Sequence, residues 1–122
     1  GYHIEHILSE NETNRGYFKD VEEFEDQRNL LGGLLLLKGL DNISSGNEEY
    51  SDKLKTYSTG LVWGHSLCEN FYHANKDFDK FNKEFSDKCN VGFKAYSVFD
   101  QNALMERSRL LYEIVKVIWE VS

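Results

Sequence analysis

The 122 residues contain no proline, so helices here must be stopped by glycine, asparagine or serine. Cysteine is scarce. Cys68 and Cys89 are the only two, and neither sits in a C-x-x-C pair, which excludes zinc-finger spacing. Two reduced thiols in a cytosolic protein are the expectation. Long apolar runs are also missing. The longest is Leu34–Leu37, far short of the roughly 20 residues that a membrane helix needs. No charged-then-apolar segment opens the chain as a signal peptide would. A cytoplasmic protein with no membrane partner is therefore expected. Positive charge is in deficit, with 14 Lys and Arg against 21 Asp and Glu and a net charge of −7. That balance argues against a domain that holds nucleic acid tightly by itself, because nonspecific affinity comes largely from cations on phosphates. It leaves room for a site that needs only a local cationic path.

What is present describes one packed domain. Hydrophobic residues make up 40% and aromatics 14%, enough for a core without disulfides or a structural metal. The first residue is Gly1, and the chain is read as a piece of a longer protein. Tyr2–Leu8 is β-branched and aromatic and predicts a strand, followed by a polar loop over Ser9–Gly16. Asp20–Asn29 predicts a short acidic helix. Leu34–Leu37, bounded by Gly32-Gly33 and Gly39, predicts a buried strand. Asn42–Asn47 reads as a loop ending in an N-cap at Asn47, with Glu48 and Glu49 suited to the positive end of a helix. That helix should run from about Glu48 to Thr56, with Tyr50, Leu54 and Tyr57 on one face. Leu61–Tyr72 and Phe78–Phe85 read as helical, and Gly92–Phe99 fits either a strand or a connection. Asp100 caps a last helix whose Leu104, Leu111, Ile114 and Ile118 form a core-facing stripe. The fold class is mainly α with a small β-hairpin.

The informative segment is His3-Ile4-Glu5-His6. It crowds three titratable side chains onto a short apolar strand, where burial is costly without partners. Glu5 and His6 are adjacent and point to opposite sides of the strand. A polar site at the strand's end, or a half-exposed edge strand, would each account for the pattern.

Three blocks then resemble a known family. They are Tyr2–Leu8, then Arg28-Asn29-Leu30-Leu31-Gly32-Gly33-Leu34, then Asn42 to Lys53 with Asn47 and Tyr50 between. They are similar to the HNH (His-Me finger) nuclease domain at the C-terminus of GmrSD-like, modification-dependent restriction proteins. The pattern there reads I-E-H-I-L-P, R-x-x-x-G-N-L-x-L-L and N-x-x-x-x-N-x-x-F-x-x-K. A later helix carries a basic residue, here Arg107, and closes near Ile118-Trp119. The resemblance implies a ββα-metal finger over about residues 2–57, embedded in a helical domain whose remainder is 58–122. It implies a DNA endonuclease with Mg²⁺ or Mn²⁺ as cofactor. Glu5 and Asn42 would be the metal ligands and His6 the general base, leaving a 5′-phosphate and a 3′-hydroxyl. An imidazole ordinarily titrates near pH 6.5, workable for a base at neutral pH. A nucleotide-binding domain N-terminal to this one is the implied partner, with DNA held weakly by this domain alone.

Two positions depart from the pattern. Ser9 replaces its proline, and Gly33 replaces the Asn of G-N-L. That Asn helps to orient the base, and glycine has no side chain for the task. Asn29 is the candidate substitute, and a Gly33→Asn change is expected to raise activity or leave it unchanged. His3 and Asn47 are further supporting candidates. Lys53 and Lys55 are candidate contacts to DNA phosphates. His65 and His73 read as partly buried helix residues, and Trp63 and Trp119 as core. Two competing functions remain open. One is an inactive His-Me finger kept as an interaction module, favoured by Gly33 and the acidic balance. The other is a structural zinc site from His3, His6 and a cysteine, disfavoured because His3 and His6 face opposite ways.

Overall fold

A computed structural model describes residues 1–38 and 47–121. The elements are β1 (Tyr2–His6), α1 (Glu12–Arg15), α2 (Val21–Gln27), a 3-10 turn (Leu31–Gly33), β2 (Leu34–Lys38), α3 (Tyr50–Tyr57), α4 (Val62–His65), α5 (Glu69–Ala74), α6 (Lys76–Cys89) and α7 (Gln101–Val121). The domain is mainly helical with one antiparallel hairpin, as the sequence predicts.

Without proline, α1, α2 and α7 start at side-chain caps, and α6 ends at a left-handed asparagine. Asn11 accepts from the Asn14 amide at 2.8 Å and starts α1, inside the stretch that the sequence predicts to be a loop. Asp20 does the same for α2 through the Glu23 amide. Asp100 caps α7 through the Ala103 amide at 2.9 Å, as expected. Asn90, at φ 57°, ends α6, a conformation that Asn tolerates better than most residues.

The third helix starts later than predicted, at Tyr50, and its preceding residue Glu49 makes no side-chain cap. The reason lies in the first loop. Asn11 Nδ2 donates to the Asn47 and Glu48 carbonyls at 3.3 and 3.1 Å. Thr13 Oγ1 donates to Glu49 at 3.2 Å. These bonds hold residues 47–49 extended, so Asn47 is not the N-cap.

The hairpin pairs Ile4 with Leu36, Glu5 with Leu35 and His6 with Leu34. Alternation therefore turns Glu5, Leu35 and Leu37 inward, all buried, and leaves Ile4 and Leu36 exposed. Ile7 and Leu8 lie past the strand end and are fully buried. They join Phe24, Tyr57, Leu67, Phe99 and Leu104 in the main core. A second cluster gathers Phe85, Val91, Phe93 and Leu110, so α7 packs against both.

The helical stripe fades toward the end of α7. Leu104 and Leu111 are buried, but Ile118 and Trp119 are exposed at 61% and 75%, and Trp63 is 42% exposed. These tryptophans and Ile118 therefore do not serve as the predicted core. Between α7 and the outer face of the hairpin lies an apolar groove of about 410 Å³, lined by Ile4, Leu34, Leu36, Leu111, Val115 and Ile118 among others. Arg107, also at its wall, is only 1% exposed. It donates to the Trp63 carbonyl at 2.8 Å and ties α7 to α4. Among the described residues no helix is long and apolar enough to cross a membrane.

Candidate active site

The 3-10 turn decides where β1 ends up. Its two glycines allow contacts that a Cβ would block. A Cβ on Gly32 would overlap the Ser108 backbone of α7, and the Gly32 amide donates to Ser108 Oγ at 3.0 Å. A Cβ on Gly33 would fall 2.7 Å from the Arg28 carbonyl oxygen and 2.9 Å from Leu104 Cδ1. Close approach is what requires glycine at position 33, and the family's asparagine does not fit there without moving backbone. An asparagine at position 33 would therefore strain this turn. From this fixed turn the Gly33 carbonyl accepts from the Ile7 amide at 2.8 Å, and Arg28 Nε donates to the Leu8 carbonyl at 3.1 Å. The chain just after His6 is held from two directions.

His6 sits half-buried at the end of β1, with Nε2 2.6 Å from Asn29 Oδ1. Asn29 Nδ2 donates to the Glu25 carbonyl at 2.8 Å, so its oxygen faces the histidine as acceptor. Nε2 therefore carries the proton in this contact, and in neutral imidazole the lone pair falls on Nδ1. The structure thus brings Asn29 onto the histidine from just beyond α2.

Glu5 faces the other way, into the protein, and is 7% exposed. Tyr57 donates its hydroxyl to Glu5 Oε2 at 2.5 Å. The Lys53 ammonium lies 3.7 Å from Oε1 and donates to the His6 carbonyl at 2.8 Å. Burial pulls Lys53 below the usual lysine range, against the pull of Glu5, the largest opposing influence. Burial pushes the Tyr57 phenol far up, and the adjacent Glu5 charge adds to it.

Lys53 is only 3% exposed, so the expected phosphate contact is corrected for it: its ammonium is turned inward to Glu5 and His6. Lys55 is exposed and lies 3.7 Å from Asp52, so it remains a surface cation. His3 is exposed on the strand, and Asn47 is exposed beside the first loop. Asn42 lies outside the described residues. His65 is partly buried as expected, whereas His73 is exposed. Among the described residues no group of three or more His, Cys, Asp or Glu side chains gathers to hold a metal. The buried Cys68 thiol points to the Leu54 carbonyl.

The roles of two residues are not legible in the sequence. Tyr57 shares a helix face with Tyr50 and Leu54 and reads there as core, and Lys53 reads as a candidate phosphate contact. Both serve Glu5 from α3, and only the i, i+4 spacing of Lys53 and Tyr57 hinted that they act on one face.

The fold and this site define a helical domain that displays an adjacent histidine and carboxylate at the end of a short hairpin, braced by the following helix. The chain belongs to the family of C-terminal domains of GmrSD restriction endonucleases, whose family model matches residues 1–114. No curated protein and no solved structure matches it. Family membership ties the chain to restriction endonucleases and thereby to defence.

Proposed function

We propose that this domain is a divalent-metal-dependent endonuclease of the HNH, or His-Me finger, type that hydrolyses DNA phosphodiester bonds. The observation that carries the reading is the His6–Asn29 contact of 2.6 Å. It aims a half-exposed imidazole with its Nε2 proton already committed. Nδ1 is then the atom that takes the proton from an attacking water. Strand alternation sets Glu5 behind the histidine as a fixed, buried carboxylate.

By the resemblance, Glu5 and Asn42 would be hard-oxygen ligands, a donor type that suits Mg²⁺ or Mn²⁺ and does not suit zinc. The described side chains do not fit a bound ion as they stand: Glu5 is buried, with Tyr57 on one oxygen and the Lys53 ammonium 3.7 Å from the other, and Asn42 lies outside the described residues. When bound, such an ion supplies a Lewis acid that stabilises charge on the phosphate and the leaving 3′ oxygen. Lys55 offers an exposed surface cation for the DNA backbone. An N-terminal domain of the same protein, nucleotide-binding by resemblance, would hold the substrate, since a net charge of −7 does not favour DNA binding by this domain alone.

The test is nicking of a supercoiled plasmid in Mn²⁺. His6→Ala should lower the rate by about 10²–10⁴-fold with the fold unchanged. Equal cleavage by the parent and His6→Ala would remove His6 from the reaction. The competing reading, an inactive finger kept as an interaction module, draws on the apolar groove beside α7. It takes over if the parent, joined to the rest of its protein, never cuts.

A further inference from the structure

The inner face of α6 fixes how the helix is turned. Asn82 donates to the Phe93 carbonyl and accepts from the Phe93 amide, both at 2.7 Å, and Phe85 is buried in the same cluster as Phe93. The opposite face carries Lys76, Lys80 and Lys83, spaced four and three residues apart and therefore neighbours on the helix surface. All three are exposed. With Tyr72 and His73 of α5 they line a cleft of about 350 Å³. Asp79 is the one carboxylate among its lining residues, and it is already paired with Lys83 at 3.1 Å.

This concentration of positive charge stands out in a chain with a net charge of −7. Lys19, Lys53, Lys55, Lys94 and Lys116 each lie beside a carboxylate. Among the described residues no carboxylate lies within ion-pair distance of Lys76, Lys80 or Lys88, all on α6. Nor does the arrangement favour the helix. Like charges at this spacing repel, and Lys76 opens α6 at its positive end, where a cation is disfavoured. Asn75 does not offset that end, since its side chain makes no cap and donates instead to the Phe71 carbonyl at 2.8 Å. Asp77 is in the same first turn but does not line the cleft.

We propose that this face of α6 is a docking surface for the phosphate backbone of DNA, met by Lys76, Lys80 and Lys83. From Lys76 to Lys83 the helix rises about 10 Å, the axial rise of about three nucleotides on one strand. Lysines on phosphates position a duplex without reading its sequence, and three of them give an otherwise acidic domain a weak, salt-sensitive hold. The proposal rests on the reading that the domain acts on DNA and goes beyond it in placing the duplex on α6.

The experiment is fluorescence anisotropy with a labelled DNA duplex over a range of salt, without divalent metal, with plasmid nicking in Mn²⁺ run beside it. The parent is compared with the triple variant Lys76→Gln, Lys80→Gln, Lys83→Gln and with a charge-matched triple, Lys19→Gln, Lys94→Gln, Lys116→Gln. All six lysines are exposed, and melting curves check that each variant folds. The log–log dependence of affinity on salt should be shallower by about 3 in the α6 variant, one for each lost phosphate contact, and parent-like in the charge-matched one. An unchanged slope in the α6 variant overturns the proposal, and if the parent still nicks plasmid the nuclease reading stands without it. Equal losses in the two variants also overturn it, because affinity then follows net charge and not this face. A parent that binds no duplex even at low salt overturns it as well. Binding that depends on the α6 lysines in a parent that never nicks upholds the docking surface and counts against the nuclease reading alone.

Discussion

Replacing Gly33 with Asn, the residue that the resembled pattern carries there, is expected to lower both stability and activity. The added Cβ would lie 2.7 Å from the Arg28 carbonyl oxygen and 2.9 Å from a Leu104 methyl. The leucine can turn its methyl away. The carbonyl is backbone, and it belongs to the residue directly before Asn29, so relief requires the Arg28–Asn29 peptide or the turn itself to retreat. Overpacking of this kind costs about 1–3 kcal/mol. Function should suffer through the same displacement. The His6–Asn29 contact is 2.6 Å, and such bonds are made only out to about 3.2 Å. A retreat of several tenths of an ångström spends most of that margin. A hydrogen bond to a group that becomes charged is worth about 1.5–3 kcal/mol, which corresponds to roughly 10–100-fold in rate. Gly33→Asn should therefore melt earlier and nick plasmid in Mn²⁺ about as slowly as Asn29→Ala. The double variant Asn29→Ala, Gly33→Asn is the discriminating case. If it melts like the parent and cuts faster than Asn29→Ala, an asparagine at position 33 reaches His6 after all, and the close-approach argument is wrong.

Lys53→Met should be destabilising, because it removes a buried ammonium that lies 3.7 Å from Glu5 and donates to the His6 carbonyl; chemical denaturation reads this directly, and a loss below about 1 kcal/mol would mean that the pair behaves as a solvated one. Its effect on DNA binding should be no greater than its effect on folding, whereas Lys55→Ala should leave the melt unchanged. DNA binding by the isolated domain should be weak and fall steeply with salt, and Lys55→Ala should reduce the log–log salt slope by about 1 if that lysine meets a phosphate. An unchanged slope would move the DNA path elsewhere.

The sequence made the hairpin legible because Leu34–Leu37 is an apolar run bounded by glycines, and Tyr2–Leu8 carries the aromatic and β-branched residues of a second strand. Asp100 was legible as a cap because its chemistry is local. What escaped it depended on contacts across long separations. The late start of α3 follows from Asn11 binding the carbonyls of Asn47 and Glu48, which no propensity encodes. Lys53 reads as a candidate phosphate contact until Glu5 and the His6 carbonyl, 47 or more positions away, are brought against it. Tyr57 reads as core and is core; only its hydroxyl has a second role. The Gly33 departure was visible in the residues, but the contact of Asn29 with His6 depended on which way one side chain turns.

The division into a finger over about 2–57 and a helical remainder is a division of sequence more than of packing. A two-stranded hairpin is marginal alone in water, and this one draws its rigidity from the far half of the chain. Leu35 and Ile7 share one core with Leu67, Phe99 and Leu104. The turn that precedes β2 is seated by Ser108 through the Gly32 amide, and Leu104 closes over Gly33. From that seat, the Gly33 carbonyl holds Ile7 and Arg28 holds Leu8, one and two residues after His6. Position and orientation of the histidine are thus set by α7 through a glycine turn, and by α2 through Asn29. A chain cut after α3 would retain Glu5, His6, Lys53 and Tyr57 and still lack the surface that holds the turn, so the catalytic arrangement proposed here belongs to the whole domain.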